Sequence, residues 1–203
     1  MLKITLIRHG KTEGNEKGKF IGVTDEPVLE EEKEALADLQ FPPAQAVYSS
    51  PMKRCTETAQ ILFPYEKAVI IPELAERDFG LFEGKTYKEL TEDPKYKEWL
   101  ENKDIMSYPT GEDISDFHAR VVSGFEKIID DAVKNKKTDI AVIAHGGTIM
   151  SVMYMYGFPK QQYLEWLVKN GEGYRIRLSP EEFADGADKK GRKIIVDGKI
   201  VRQ

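Results

Sequence analysis

Three short apolar runs, at residues 2–7, 46–48 and 140–144, constrain this chain more than any other feature, with residues 68–71 a weaker fourth. Strands without polar alternation must be covered on both faces. Helical spacings lie between them. Leu29, Leu36 and Leu39 share one face of a short acidic segment, and Met52, Cys55, Ala59 and Leu62 recur at helical intervals. Ile114, Phe117, Val121, Phe125, Ile128 and Ala132 form the longest stripe, and Thr110-Gly111-Glu112-Asp113 before it resembles a capping box. Buried strands alternating with helices imply an α/β fold, a three-layer α/β/α sandwich around a largely parallel central sheet. Past Tyr174 the pattern changes. Tyr174, Ile176 and Leu178 alternate with Arg175 and Arg177, which predicts a strand with one wetter face near a sheet edge. Asp197-Gly198 between the apolar stretches 193–196 and 199–201 predicts a two-residue hairpin, and the charged stretch 181–192 reads as a mobile connection.

The 203 residues suffice for one substantial core and no linker divides them, so a single domain over 1–203 is expected, with the C-terminal strand and hairpin occupying 174–203. A formal net charge of −5 argues against nucleic acid and against a polybasic membrane anchor. Any anion site must therefore be local. Cys55 is the lone cysteine, which excludes an internal disulfide, and no metal-ligand spacing surrounds it. The first apolar run meets Arg8 and His9 too soon for a signal peptide, and no run nears the roughly 20 residues that span a bilayer. A cytoplasmic protein without membrane association is expected, as monomer or homodimer.

Ligands of open α/β sheets bind beyond the carboxyl ends of the strands. All three clear runs end in reactive residues. The first leads into Arg8-His9-Gly10, the second into Ser49-Ser50-Pro51-Met52-Lys53-Arg54, and the third into His145-Gly146-Gly147. If these strands are parallel neighbours, two arginines and two histidines converge on one pocket. A cation for oxygens, an imidazole able to attack phosphorus and a glycine that lets the backbone approach closely together suit a phosphate.

Four ordered blocks lie within residues 4–148: Arg8-His9-Gly10-x-Thr12-x-x-Asn15, Ser49-Ser50-Pro51-x-x-Arg54-x-x-x-Thr58-Ala59, Glu76-x-x-x-Gly80-x-x-Glu83-Gly84 and His145-Gly146-Gly147. They resemble the histidine phosphatase superfamily, which includes the phosphoglycerate mutases, and Pro109-Thr110-Gly111-Glu112 looks like a fifth block. The resemblance implies a phosphoglycerate mutase-like fold and a phosphatase hydrolysing a small phosphomonoester through a phosphohistidine on His9. It also implies that Arg8, Arg54 and His145 hold the equatorial oxygens, that Asn15 adds a neutral hydrogen bond, and that Ile21, Gly22 and Gly146 border the phosphate or substrate. Glu76 would protonate the leaving alkoxide and then deprotonate water, which requires a raised pKa. Glu73 and Glu83 are rivals, but Glu76 aligns with the family's acid. Two arginines supply the charge that an ion would otherwise bring, so neither metal nor other cofactor is expected, and the partner is a small phosphorylated metabolite.

The chain departs from the family pattern at Lys11, where glutamate or glutamine is usual, and at Ile21, where a polar residue is expected. A cofactor-dependent phosphoglycerate mutase is the alternative, disfavoured because residues 84–108 hold lysines but no arginine. A non-catalytic phospholigand-binding protein is the second alternative, disfavoured because His9 and Glu76 are both present. His118 reads as structural, Cys55 as a core thiol, and Lys189, Lys190, Arg192 and Lys193 as a solvated patch. Among the aromatics Phe79, Phe82, Tyr87, Tyr96, Trp99 and Tyr108, Tyr108 is the first candidate to wall a leaving-group pocket.

Overall fold

The apolar runs pair with one another because neither face of them can meet water. In the computed structural model, which describes residues 1–101, 107–184 and 191–202, the chain opens with β1 (Leu2–Arg8), α1 (Glu13–Glu16), α2 (Glu30–Ala37), β2 (Val47–Ser49), α3 (Lys53–Leu62) and β3 (Val69–Ile70). It continues through α4 (Tyr87–Leu90), α5 (Pro94–Glu101), α6 (Ile114–Lys134), β4 (Asp139–Ala144), α7 (Gly146–Tyr156), β5 (Gly157–Phe158), β6 (Gly173–Leu178) and β7 (Ile194–Ile200).

The sheet order is β3-β2-β4-β1-β6-β7-β5, with β3, β2, β4 and β1 parallel. Among the described strands β6 alone runs against the rest, since it is antiparallel to both β1 and β7 and β5 is parallel to β7. Register places the site. Arg8 lies beside Ala144 and Ser49 beside Ile143, so His9, His145 and Ser50 leave the sheet side by side.

Side-chain alternation on these strands makes the two flanking layers. Ile4, Leu6, Val142 and Ala144 join Phe117, Val121, Phe125 and Ile128 of α6 and Ile149 and Val152 of α7 in the larger core cluster. Ile7, Val47, Ala141 and Ile143 face the other way, against Cys55 and Ala59 of α3. A third cluster, Phe82, Leu90 and Tyr96 with Phe79, Trp99 and Tyr108 packed on it, sits apart.

Three sequence expectations need correction. The run around Asp197-Gly198 is no hairpin: β7 pairs with β6 along its length, and the register passes from Arg175↔Gly198 to Ile176↔Val196, leaving Asp197 as the extra residue of a bulge. β6 satisfies more backbone groups across the whole run than a short hairpin folded on itself could, and Asp-Gly accommodates the bulge. The helix cap is Asp113 rather than Thr110. The Asp113 carboxylate accepts the Ser115 N–H at 2.7 Å, while Thr110 stands outside the helix at φ 60°. Arg192 is buried, ion-paired with Glu126 of α6 and set over the Phe183 ring, because position 192, two residues before β7, packs against that helix. Lys193 is exposed as expected, whereas Lys189, Lys190 and residues 185–190 of the expected mobile connection lie outside the described residues.

Candidate active site

His9 follows β1 and is almost fully buried. Its Nδ1 lies 2.7 Å from the Gly10 carbonyl. A carbonyl only accepts, so the ring proton sits on Nδ1 and the lone pair on Nε2. The loop is braced from far away in sequence. Thr58 Oγ1 accepts the Gly10 N–H at 2.9 Å while donating to the Arg54 carbonyl at 2.6 Å. The His9 carbonyl accepts the Asn170 Nδ2 amide at 3.1 Å and the Gly171 N–H at 3.2 Å. Burial, then the charges of Arg54 and Arg8, hold the His9 pKa well below the usual imidazole range.

His145 stands 5.1 Å from His9, ring centre to ring centre, at 64°. Arg54 Nε donates to its Nδ1 at 3.2 Å, which leaves the proton on Nε2 to be donated to Ser50 Oγ at 2.7 Å. The two imidazoles are thus neutral in opposite tautomers. Burial and Arg54 push the His145 pKa well down too. Cys55 Sγ, 3.5 Å from His145 Nε2, is a core thiol whose pKa burial pushes up to about 12.

Arg54, fully buried, is held by its own fold. Besides His145 it donates from Nη1 to the Thr24 carbonyl at 2.7 Å and from Nη2 to the Gly22 carbonyl at 2.8 Å. Gly22 in turn gives its N–H to Glu83 Oε1 at 2.9 Å, so this backbone position braces Arg54 and has no spare donor for a phosphate. A Cβ at Gly22 would lie 2.0 Å from the Arg77 carbonyl oxygen. Ile21 is buried against Gly14 instead of lining an open surface. Arg8 donates from Nη1 to the Val168 carbonyl at 2.8 Å, its buried Nε has no partner among the described residues, and its guanidinium lies over Gly146. Asn15 Oδ1 accepts the Asn170 amide at 3.0 Å, which orients its own Nδ2 away as a donor.

Glu76 is enclosed by two backbone donors, Arg77 N–H to Oε1 at 3.0 Å and Gly147 N–H to Oε2 at 3.0 Å. Burial raises its pKa, and these N–H groups and the two arginines only partly oppose the rise. Arg120 of α6 fixes the loop that carries it. Its Nη1 donates to the Glu73 and Ala75 carbonyls at 2.8 and 3.0 Å, while Nε and Nη2 grip Glu112 at 2.8 and 2.7 Å. The rivals are placed elsewhere. Glu73 pairs with Lys127 at the surface, and Glu83 holds the Gly22 and Thr24 N–H groups.

The strand ends therefore bring Arg8, His9, Arg54 and His145 together, with the Glu76 carboxylate held against the start of α7 by the Gly147 N–H. The family model of the histidine phosphatase superfamily, branch 1, matches residues 4–184. The chain belongs to this superfamily.

A protein of Hydrogenobacter thermophilus provisionally named phosphoserine phosphatase 2 is 30% identical over 161 residues, covering 75% of this chain and 77% of that protein. The α-ribazole phosphatase of Shigella flexneri shares the fold at a TM-score of 0.75 and 23% identity, over 88% of this chain and 91% of that one. A phosphoglycerate mutase of Thermus thermophilus superposes at a TM-score of 0.69 with 26% identity over the full length of both. Among the described residues no helix is long and apolar enough to cross a membrane, and no group of three or more His, Cys, Asp or Glu is placed to hold a metal.

The superfamily motifs omit several residues that shape this site. Asn170 and Arg120 reach it from distant elements, and no local pattern marks them. Arg77 was legible only as the neighbour of Glu76; its guanidinium lies 4.4 Å from the Tyr108 ring centre and Nε donates to the Glu112 carbonyl at 2.9 Å. Tyr108 is buried enough that its phenol pKa is pushed up to about 12. His118 sits half-buried with its ring against Tyr154 and Tyr163.

Proposed function

We propose that this member of the superfamily is a metal-independent phosphatase of small phosphomonoesters, with His9 as nucleophile and Glu76 as the proton-transfer group. The observation that carries the reading is the pairing of a neutral His9, its lone pair confined to Nε2, with a half-buried carboxyl group, held by two backbone N–H groups, whose pKa is raised. In the first half-reaction a bond forms between His9 Nε2 and phosphorus as the ester P–O bond breaks, and the Glu76 proton passes to the leaving oxygen. In the second, water attacks phosphorus, the N–P bond breaks, and the water proton returns to Glu76.

Arg8 and Arg54 hold the phosphoryl oxygens with fixed positive charge, Asn15 adds a neutral hydrogen bond, and His145 adds another once its Nε2–H exchanges Ser50 Oγ for a phosphoryl oxygen. Little reorganisation is needed when charge develops, because Arg54 is already clamped by Thr24, Gly22 and His145. Two desolvated guanidinium groups supply the charge that a divalent ion brings in other phosphoryl-transfer sites. The relative provisionally named a phosphoserine phosphatase supports a small, charged substrate.

The T. thermophilus structure named a phosphoglycerate mutase supports the second reading, in which the phosphoryl group returns to an organic hydroxyl. One experiment separates the possibilities. Phosphosugars, phosphoglycerates, phosphoserine and nucleotides are assayed with chelator present, with wild type and His9→Ala in parallel and rapid quench for an acid-labile phosphoenzyme. Phosphate release that survives the chelator and vanishes with His9→Ala is expected. Loss with chelator, or activity in the alanine variant, overturns the proposal; interconversion of phosphoglycerates without phosphate release gives the mutase. Binding without turnover gives the phospholigand-binding alternative.

A further inference from the structure

Residues 169–172 make a tight turn just before β6. The Glu172 N–H donates to the Lys169 carbonyl at 3.1 Å, and Gly171, at the third position, takes a φ of 72° that glycine adopts without strain. Backbone bonds tie this turn to the loop after β1. The Gly171 N–H is shared between the Arg8 and His9 carbonyls at 3.0 and 3.2 Å, and the Arg8 N–H donates to the Glu172 carbonyl at 2.8 Å. Held in this way, the turn presents the Asn170 side chain to His9 and to α1.

The Asn170 amide nitrogen carries two protons, and both are used. One goes to the His9 carbonyl at 3.1 Å and the other to Asn15 Oδ1 at 3.0 Å. A backbone carbonyl only accepts, so the group facing it must be the NH2 end, which fixes the orientation of the Asn170 amide. That polarity is passed on. The Asn15 atom facing an NH2 group must be its oxygen, and the same oxygen takes the Thr12 N–H at 3.3 Å in the cap of α1. Two donors converging on Oδ1 leave the Asn15 Nδ2 to donate elsewhere. Without Asn170 only the longer Thr12 contact selects between the two amide orientations, and the inverted one offers lone pairs where an anion needs a proton.

We infer that Asn170 is a positioning residue for phosphoryl transfer: it sets the Asn15 amide so that an N–H, and not a carbonyl oxygen, meets the phosphoryl group. The His9 carbonyl supplies the reference polarity, and it keeps the Gly171 N–H when the Asn170 amide is removed. The effect of removal therefore falls on Asn15. The inference rests on the phosphatase reading, in which Asn15 touches the phosphoryl oxygens, and its test keeps the two apart.

Asn170→Leu keeps the shape of the side chain and deletes its donor. Asn170→Asp keeps the shape and reverses the polarity, because a carboxylate only accepts and draws the Asn15 NH2 group to itself. Each is made in wild type and in Asn15→Ala, and the four variants are compared by kcat/KM on para-nitrophenyl phosphate and by the inhibition constant of orthovanadate. A hydrogen bond to a charged group is worth roughly ten- to 10²-fold in binding or rate. Asn170→Leu should lose about tenfold in wild type and stay within about twofold in Asn15→Ala. Asn170→Asp should lose about 10²-fold in wild type and at least about fivefold less in Asn15→Ala, where only the repulsion by its charge remains. A residue that merely stabilises the fold gives the same factor in both backgrounds. Equal factors, or an Asn15→Ala variant as active as wild type, overturn the inference, and if Asn170→Leu fails to fold the Asp variant decides alone. If wild type hydrolyses no phosphoester, the phosphatase reading fails. Orthovanadate affinity by calorimetry then carries the same comparison: a loss that depends on Asn15 supports the positioning role, and one that does not overturns it.

Discussion

Gly147→Ala separates catalysis from folding at this site more cleanly than removing a reactive group. A Cβ at position 147 would lie 2.3 Å from Glu76 Oε1 and 3.1 Å from its Cδ, so the carboxyl group must retreat by roughly 1 Å to restore an ordinary contact. The retreat also stretches the 3.0 Å bond from the Gly147 N–H. A displacement of roughly 1 Å in a catalytic group costs about 10²-fold in rate, and complete loss of general acid–base catalysis costs up to about 10⁴-fold. Stability should barely change. The lost hydrogen bond costs about 1 kcal/mol, and replacing glycine by alanine in α7 recovers up to about the same. The assay compares kcat/KM for an alkyl phosphate and for para-nitrophenyl phosphate, whose phenolate leaves without a proton. The alkyl ester should lose about 10²-fold and the nitrophenyl ester much less, with the thermal midpoint within about 4 °C of wild type. An equal loss on the two esters, or unchanged activity on both, refutes the placement of Glu76 as the acid.

Thr58→Ala should destabilise by about 1–3 kcal/mol, because the buried Gly10 N–H loses its acceptor, whereas Thr58→Ser should recover most of it; urea midpoints of the two variants check this. Acid sensitivity follows from the two buried histidines, whose folded pKa values lie well below the unfolded value of 6.5. Below pH 6.5 the unfolded chain binds protons that the native state refuses, so stability falls as pH falls, by up to about 1.4 kcal/mol per pH unit for each histidine. Glu76 acts in the opposite sense above its unfolded value, since its raised folded pKa lets the native state hold the extra proton. One carboxyl group offsets at most one histidine, leaving a net loss between pH 6.5 and 5 that urea titrations should detect and that His145→Gln should reduce. Equal urea midpoints for wild type at pH 6.5 and 5 would contradict the burial assigned to these rings.

Much of the site was legible because its reactive residues sit next to the strands that deliver them. Periodicity marked β1, β2 and β4, and the residues just beyond each run include Arg8, His9, Arg54 and His145. Glu76 required the family motif, since nothing local distinguishes it from Glu73 or Glu83. The braces were hidden. Asn170 reaches the His9 carbonyl across 161 positions, and Arg120 holds the Glu76 loop from α6, more than forty positions along the chain. Asp197-Gly198 shows a different limit, because a hairpin and a bulge share the same dipeptide and the presence of β6 alongside decides between them.

By itself the sequence determined which segments must be buried and which functional groups each one ends in, since apolar spacing and covalent adjacency are local properties. Only the tertiary structure decided the protonation chemistry. The tautomers of His9 and His145 depend on a carbonyl, a guanidinium and a hydroxyl brought by other segments, and the raised pKa of Glu76 depends on desolvation by the completed core. A basic cavity beside Arg8 is likewise an assembly of residues from the loops on either side of α1, the loop before β6 and the segment after β7, whose charges meet because the sheet sets β1 between β4 and β6.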